Sequence, residues 1–589
     1  MWKPEKTIRS EVRWAAPESR LKILPSDRTL GINIGFIGSE ELFSELSLEV
    51  NCYRLDNTNW QLILEFSSID FVLIESNITN SGSPWNNYYI ENSAAFERLN
   101  RIINAATSKS LPVAFWHTLD YTYFELFKSI ARRCDAVFSA DPQLLTQKAW
   151  KKFNATYLPS GVQPRIYNPY HSYDEHVEPD HFDIAIDALG DYLADSHYVD
   201  NLCRAFGHRS ILLYDSNNNI FRSKLPKVEG KNNLVIGGCV SNRSKSKILK
   251  QSSFYIEPKN SMISPTRRQR MKLQAAASST AVFSSSEHRD SLLQSNPTYY
   301  HSSDYDLVSQ VRAGLTDSLY GDRLSHIAWR TTLNEHTLHQ RLQTIATTLG
   351  LGIIINQKPK ASLILPTIRP HFLPHALQQY DSQLYSNKEL IIVFNGHYAD
   401  YIQYKEQLSG RDDIKLSYLA EENHAGACMN LGIATASGDY IFRFDDDDIY
   451  GEHYIGDMML HFLFSGTDFA GKPLRYYKQD DQLYLHSREG LECRYLELFQ
   501  SADLEHGKVF VSGSTISGRR STFLDYPYPD SLGAADTAWY HLVNMASLNG
   551  LCTDRFNSIF CRRSGPGEHT WKMKSMSKTS TYQEHDLII

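Results

Sequence analysis

Three passages of alternating buried strand and helix predict an α/β protein. They run from Gly31 to about Ser139, from Phe182 to about Ser284, and from Ser362 to Asp448. Each sets short apolar runs of strand length between stretches with helical spacing, the pattern of a parallel sheet covered by helices. At 589 residues the chain is too long for a single core, so the passages read as separate domains.

The first strand is Gly31 to Ile37, GINIGFI, with a helical segment from about Glu40. Ile69–Ile74 (IDFVLI), Leu111–Trp116 (LPVAFW) and Cys134–Ser139 (CDAVFS) follow as strands, and Asn92–Ser108 is helical. Gly161–Pro169 crosses into a second cycle. There Phe182–Leu189, Ser210–Tyr214 and Leu234–Gly237 are strands, and Ala275–Ser284 reads as helix end, turn and strand. Residues 1–165 and 166–330 are thus expected as two Rossmann-like halves facing each other. Leu333–Leu349 predicts one connecting helix, which makes 331–360 a helical linker.

The third unit, 361–589, opens with SLILP (Ser362–Pro366), a strand stopped by proline. ELIIVF (Glu389–Phe394) is the next strand, closed by the turn pair Asn395-Gly396. Ile414–Leu419 is a third, Asn430–Ala436 is helical, and Gly438 leads into a strand from Tyr440. The tail beyond Gly567 is polar, with Lys572, Lys574 and Lys578 near Trp571, and reads as a flexible end with some capacity for membrane-surface contact.

Composition narrows the function. A net charge of −7 argues against non-specific nucleic-acid binding. The eight cysteines show no metal or redox spacing, which fits free thiols in a reducing cytoplasm. The start, MWKPEKTIRSEVRW, lacks the apolar core of a signal peptide, and no stretch approaches about 20 apolar residues.

The most informative stretch is ATASGDYIFRFDDDDIY, Ala434 to Tyr450. An apolar strand ends in four aspartates, Asp445 to Asp448, at the edge where open α/β sheets bind ligands. Asp445 and Asp447, spaced i and i+2, have the spacing to converge on Mn²⁺ or Mg²⁺. A solvated acidic turn, or an N-cap by Asp448, is the plainer alternative.

Residues 361 to about 571 resemble the inverting GT-A glycosyltransferases of family 2. Leu363–Thr367 matches the family's first strand and nucleotide loop, and Glu389–Gly396 its second strand and turn. Asn423–Gly432 (NHAGACMNLG) matches the segment before the metal motif, and Gly438–Asp448 is the strongest match. The resemblance implies donor contacts from Pro366, Thr367, Asn395, Asn423, Asp445, Asp446 and Arg519, and a metal held by Asp447. It implies Asp536, at the start of a helical pattern in GAADTAWYHL, as general base, although the acid that usually precedes it is Ala535 here. It implies His569 as a further metal ligand, and VSGSTISGRR (Val511–Arg520) as the pocket floor.

Residues 32 to about 330 resemble the GT-B-like proteins of the spore-maturation CgeB type. Leu111–Asp120, Cys134–Asp141, Leu158–Pro169 and Ser264–Ser284 carry that resemblance. Gln274 stands where the family has a ribose-binding glutamate, and Ser278-Ser279-Thr280 where it has Cys-Gly-Thr. Both changes weaken a donor site, so this half reads as a scaffold that binds acceptor glycan or sets homo-oligomerisation, with a second transferase as the alternative. His117 and Asp120 are the residues to test there.

The expectation is a metal-dependent inverting glycosyltransferase. It takes a nucleotide-sugar, UDP-linked by preference, and serves a cell-surface polysaccharide (capsule or lipopolysaccharide) or a lipid-linked glycan at the cytoplasmic face. A nucleotidyltransferase would want a Gly-rich basic loop after the first strand, where this chain has PTIRPH (Pro366–His371). A non-catalytic glycan-binding scaffold is the third class.

Overall fold

A computed structural model describes residues 31–78, 85–146, 153–171, 181–188, 196–216, 233–259, 263–352, 358–420, 424–479, 481–485, 492–496, 511–530, 535–562 and 578–589. The chain forms two units, residues 1–169 with 178–356, and residues 170–177 with 357–589.

Among the described residues the first unit holds two parallel sheets. One comprises β1 (Asn33–Ile37), β2 (Asn51–Arg54), β3 (Phe71–Glu75), β4 (Val113–His117), β5 (Ala136–Ser139) and β6 (Thr156–Tyr157), in the order 2-1-3-4-5-6. The other comprises β7 (Phe182–Asp187), β8 (Ile211–Asp215), β9 (Leu234–Cys239), β10 (Ser252–Ile256), β11 (Ala281–Ser285) and β12 (Thr298–His301), in the order 12-11-10-7-8-9. The second order is that of a dinucleotide-binding sheet read from its other edge. β3, β4 and β8 are buried at every residue, as strands covered on both faces must be.

The segment expected as a single connecting helix is two. Helix Ser318–Glu335 ends, and Leu338–Thr348 begins behind a capping box in which Gln340 receives the Thr337 N–H at 2.6 Å. The second helix is no loose linker. Leu338, Leu342 and Ile345 are buried with Ile34, Phe36 and Trp116 in the core of the first sheet.

In the second unit an eight-stranded sheet contains β13 (Ala361–Thr367), β14 (Lys388–Phe394), β15 (Ile414–Tyr418), β16 (Tyr440–Arg443), β18 (Phe469–Gly471), β21 (Arg494–Leu496), β22 (Ser517–Arg519) and β23 (Gly550–Cys552), among the described residues. Its order is 15-14-13-16-22-18-23-21, with β13, β14, β15 and β16 parallel and β22 antiparallel to β16. A smaller sheet pairs β17 (Ile449–Tyr450), β19 (Tyr476–Gln479), β20 (Gln482–Leu485), β24 (Ser558–Arg562) and β25 (Lys578–Thr579). β13 runs through Pro366 rather than stopping before it, because Pro366 still registers with Val393 of β14. Its ladder with β16 ends at Ile364–Arg443, so the imide falls where that pairing has ceased.

The chain end also departs from the flexible tail expected. β25 pairs with β20, Leu587 is fully buried, and the Asn557 N–H donates to the Leu587 carbonyl at 2.9 Å. Apolar burial and backbone pairing hold residues 578–589 in place.

Candidate functional site

The strand order turns outward in both directions from β13 and β16. The carboxyl ends of these two strands therefore form the switch point of the sheet, the place where open α/β sheets leave a crevice. β13 delivers Pro366 and Thr367 there, and β16 delivers Asp445 to Asp448.

The four aspartates are held differently. Asp445 accepts from Arg443 Nε at 2.8 Å and Nη2 at 3.2 Å, and its N–H donates to the Tyr450 hydroxyl. Asp446, 2% exposed, accepts from Thr367 Oγ1 at 2.6 Å and pairs with Arg369 Nη2. Burial pushes the Asp446 carboxyl up against the pull of Arg369 and Thr367. Asp447 accepts from Arg369 Nη1 at 2.9 Å. Asp448 is buried, and its Oδ1 accepts the Cys561 N–H at 2.8 Å from β24. Burial, then the neighbouring Asp445 and Asp447 charges, push Asp448 well above the carboxylate range. This aspartate ties the run to the smaller sheet.

Asp536 lies in the first turn of helix Ala535–Met545 and pairs with Arg443 Nη1. One guanidinium therefore serves Asp445 and Asp536 together. Burial opposes the Arg443 charge, but these two carboxylates hold it well above its ordinary value. The backbone of Gly513 packs against the Asp536 carboxyl so closely that a Cβ there would stand 2.8 Å from Asp536 Cγ.

The other expected residues are placed differently, Asn395 beside Thr367 and Arg519 away from the acids. Asn395 closes β14: its N–H donates to the Thr367 carbonyl at 2.9 Å and its Nδ2 to the Ala420 carbonyl at 2.6 Å. Arg519 registers with Tyr440 at the start of β16, and its guanidinium lies 5.8 Å from the Tyr440 ring, at the opposite end of the strand from the acids. Asn423 and His569 lie outside the described residues, as does Trp571. Among the described residues, Arg369 and Arg443 are the cations that meet the acidic run, and the sequence reading assigned neither a role.

Among the described residues, four carboxylates thus face two guanidiniums. The oxygen donors suit a hard divalent cation. Among the described residues the run does not gather three ligand atoms within 4.8 Å of one another. One or two carboxylates completed by phosphate oxygens is the coordination magnesium commonly takes.

In the first unit, the carboxyl edge of the second sheet carries Asp187, Ser216 and Glu257, facing helix Pro265–Ala277. The basic residues of that helix are engaged by the protein itself. Arg267 donates to the Ser216 carbonyl, Arg268 and Lys272 pair with Glu257 at 3.2 and 3.1 Å, and Arg270 pairs with Glu45 at 2.9 Å. Gln274 is 1% exposed, and neither of its amide atoms has a hydrogen-bond partner among the described residues. Ser279 takes φ 58°, the left-handed conformation that glycine supplies without strain. His117 is buried beside Phe124 and Phe127, its Nε2 3.1 Å from the Asp120 carbonyl. The Asp120 carboxylate caps the same helix through Thr266 Oγ1 at 3.0 Å.

Residues 362–526 match the model of glycosyl transferase family 2, so the second unit carries a family 2 domain. An uncharacterized glycosyltransferase of Rickettsia conorii is 22% identical over 233 residues, covering 38% of this chain and 36% of that protein. The chain thus spans about a third of that curated relative's length. Among solved structures, S. aureus TarS 1–349 in complex with UDP-GlcNAc is 18% identical, covering 36% of this chain and 62% of that one, with a TM-score of 0.30. Anabaena HepE in complex with UDP and glucose is 11% identical, covering 54% of this chain and 91% of that one, with a TM-score of 0.35. No helix of the described residues is long and apolar enough to cross a membrane.

Proposed function

We propose that the second unit is a metal-dependent inverting glycosyltransferase, and that the chain moves a sugar from a UDP-linked donor to a cell-surface polysaccharide or lipid-linked glycan at the cytoplasmic face. The observation that carries this reading is the surplus of carboxylate at the switch point of a family 2 domain. A crevice with more acids than cations favours a cation brought in with an anionic ligand, and a nucleoside diphosphate carries one.

In this reading Thr367 and Asp445 face the nucleoside side and Asp447 holds Mn²⁺ or Mg²⁺. His569 is proposed as a further ligand. When bound, the cation offsets the charge of the departing diphosphate. Asp536 takes the proton from the acceptor hydroxyl as that oxygen bonds to the anomeric carbon. The sugar–phosphate bond breaks in the same step, and the nucleoside diphosphate leaves with the bonding pair. Asn395 supports β14 and Arg519 supports β16, so neither is given a donor contact.

The first unit is proposed as a scaffold of the CgeB-like type. The basic residues of helix Pro265–Ala277 are spent on internal partners, and the ribose position holds a buried glutamine. Acceptor binding or self-association is the role left to it.

A screen of UDP-glucose, UDP-galactose, UDP-N-acetylglucosamine and GDP-mannose with Mn²⁺ tests the assignment. Asp447→Ala is expected to abolish metal-dependent donor hydrolysis. Asp536→Asn is expected to keep UDP–Mn²⁺ binding and lose transfer. Full activity in Asp447→Ala would reject the metal site, and matched losses of binding and transfer in Asp536→Asn would reject the base.

A further inference from the structure

Arg443 is the last residue of β16, and its backbone is fixed on both sides. It registers with Ile364 of β13, and its N–H donates to the Ile516 carbonyl at 3.0 Å. From that rigid base the guanidinium reaches two carboxylates with different tasks. Nε and Nη2 take Asp445, and Nη1 takes Asp536. The side chain is 17% exposed, so water screens these pairs weakly. A planar fork with donors in fixed directions can set the spacing of two acids, whereas a lysine ammonium holds them as a point charge only. With one Asp536 oxygen on Arg443 and the carboxyl packed on Gly513, the proposed base is aimed by contacts that involve neither metal ion nor substrate.

We propose that Arg443 is a positioning residue, which aims Asp536 at the acceptor and couples its placement to Asp445 on the donor side. This rests on the reading of Asp536 as the base. Removing the fork leaves two acids with no shared partner, and the helix turn that bears Asp536 is then free to reorient its carboxylate. The effect falls on the chemical step rather than on nucleotide affinity.

The test uses the full chain and the fastest-hydrolysed donor of the four named above. Arg443→Lys, Arg443→Ala, Asp536→Asn and the Arg443→Ala/Asp536→Asn double variant are compared for kcat and donor KM. UDP–Mn²⁺ affinity and thermal melting are measured on each. Both Arg443 variants are expected to lose about 100-fold in kcat, with KM changed far less. The double variant is expected to be no slower than Asp536→Asn alone, because the two residues act as one unit. Free guanidinium ion is expected to restore part of the activity of Arg443→Ala.

Wild-type kcat in Arg443→Lys, or losses that multiply in the double variant, would overturn the inference. Should Arg443→Ala fail to fold, Arg443→Lys with an unchanged melting point and a large kcat loss still supports it. Asp536→Asn alone separates the two ideas, since full activity there removes the base and not merely its positioning.

Discussion

Gly513→Ala is the sharpest probe of the site. The substitution adds one methyl group, and Gly513 is not at a positive φ, so the backbone accepts alanine. The new Cβ would stand 2.8 Å from Asp536 Cγ. Carbon atoms in contact prefer roughly 3.5–4.0 Å, so the carboxyl must retreat by about 1 Å. Arg443 holds one oxygen of that carboxyl, so it cannot retreat without disturbing the pair. A displacement of about 1 Å at a catalytic group costs about 100-fold in rate, or about 2.7 kcal/mol in the barrier. Overpacking of this kind lowers stability by about 1–3 kcal/mol. The acids on β16 have their own partners, Arg369 and Thr367, so UDP–Mn²⁺ affinity is expected to stay near wild type. Steady-state hydrolysis and calorimetric UDP–Mn²⁺ titration of the same preparation read both effects. A folded Gly513→Ala protein with wild-type kcat would refute the placement of Asp536 at the reacting centre. Equal losses in kcat and in UDP–Mn²⁺ affinity would show that Gly513 supports the pocket as a whole.

Three other outcomes follow from the same geometry. Asp448→Asn is expected to retain turnover within a few-fold, because an amide oxygen can still accept the Cys561 N–H; activity assays alongside Asp447→Asn, which should be inactive, check the contrast. Ser279→Gly is expected to raise the stability of the first unit by about 1 kcal/mol, since serine there bears the left-handed penalty, and denaturant midpoints measure it. Burial pushes His117 down to about 4, against the opposing hydrogen bond to the Asp120 carbonyl, from an ordinary value of 6.5. Between those values the unfolded chain binds a proton that the folded unit does not, so stability is lost as pH falls from about 6.5 to 4, by about 3 kcal/mol. Buried Glu45, Asp187 and His336 titrate in the same range, so urea unfolding at pH 7 and pH 4.5 is compared between wild type and His117→Phe, and the difference between the two pH dependences reads the His117 contribution.

The parts of the site that share a strand with the acidic run were legible from sequence. Tyr440, Ile441 and Phe442 read as a buried strand, and the acids at its end fell at the carboxyl edge of the sheet. Strand order was not legible, because the pairing of β13 with β16 joins segments separated by two other strands. Arg519 shows the cost. Its type suited a phosphate, but antiparallel pairing with β16 reverses its direction and carries it to Tyr440.

Arg443 shows the opposite case. It ends β16 two residues before Asp445, and the strand alternation, carried just past the end of β16, sets the two on one face. That alternation was the available signal. Asp536 as its second partner was beyond reach, being 93 residues further along the chain. A cluster of acids cannot be packed at a sheet edge without cations nearby, and two arginines meet part of that demand before any ligand arrives. Arg369 sits on Asp447, the proposed metal ligand, so a cation entering there must displace a guanidinium as well as water. Arg443 competes for no proposed metal position, because its carboxylates are the proposed nucleoside-side acid and the proposed base. In the proposed reading the two arginines therefore divide the work, one yielding its place to the incoming cation and the other staying to hold the base.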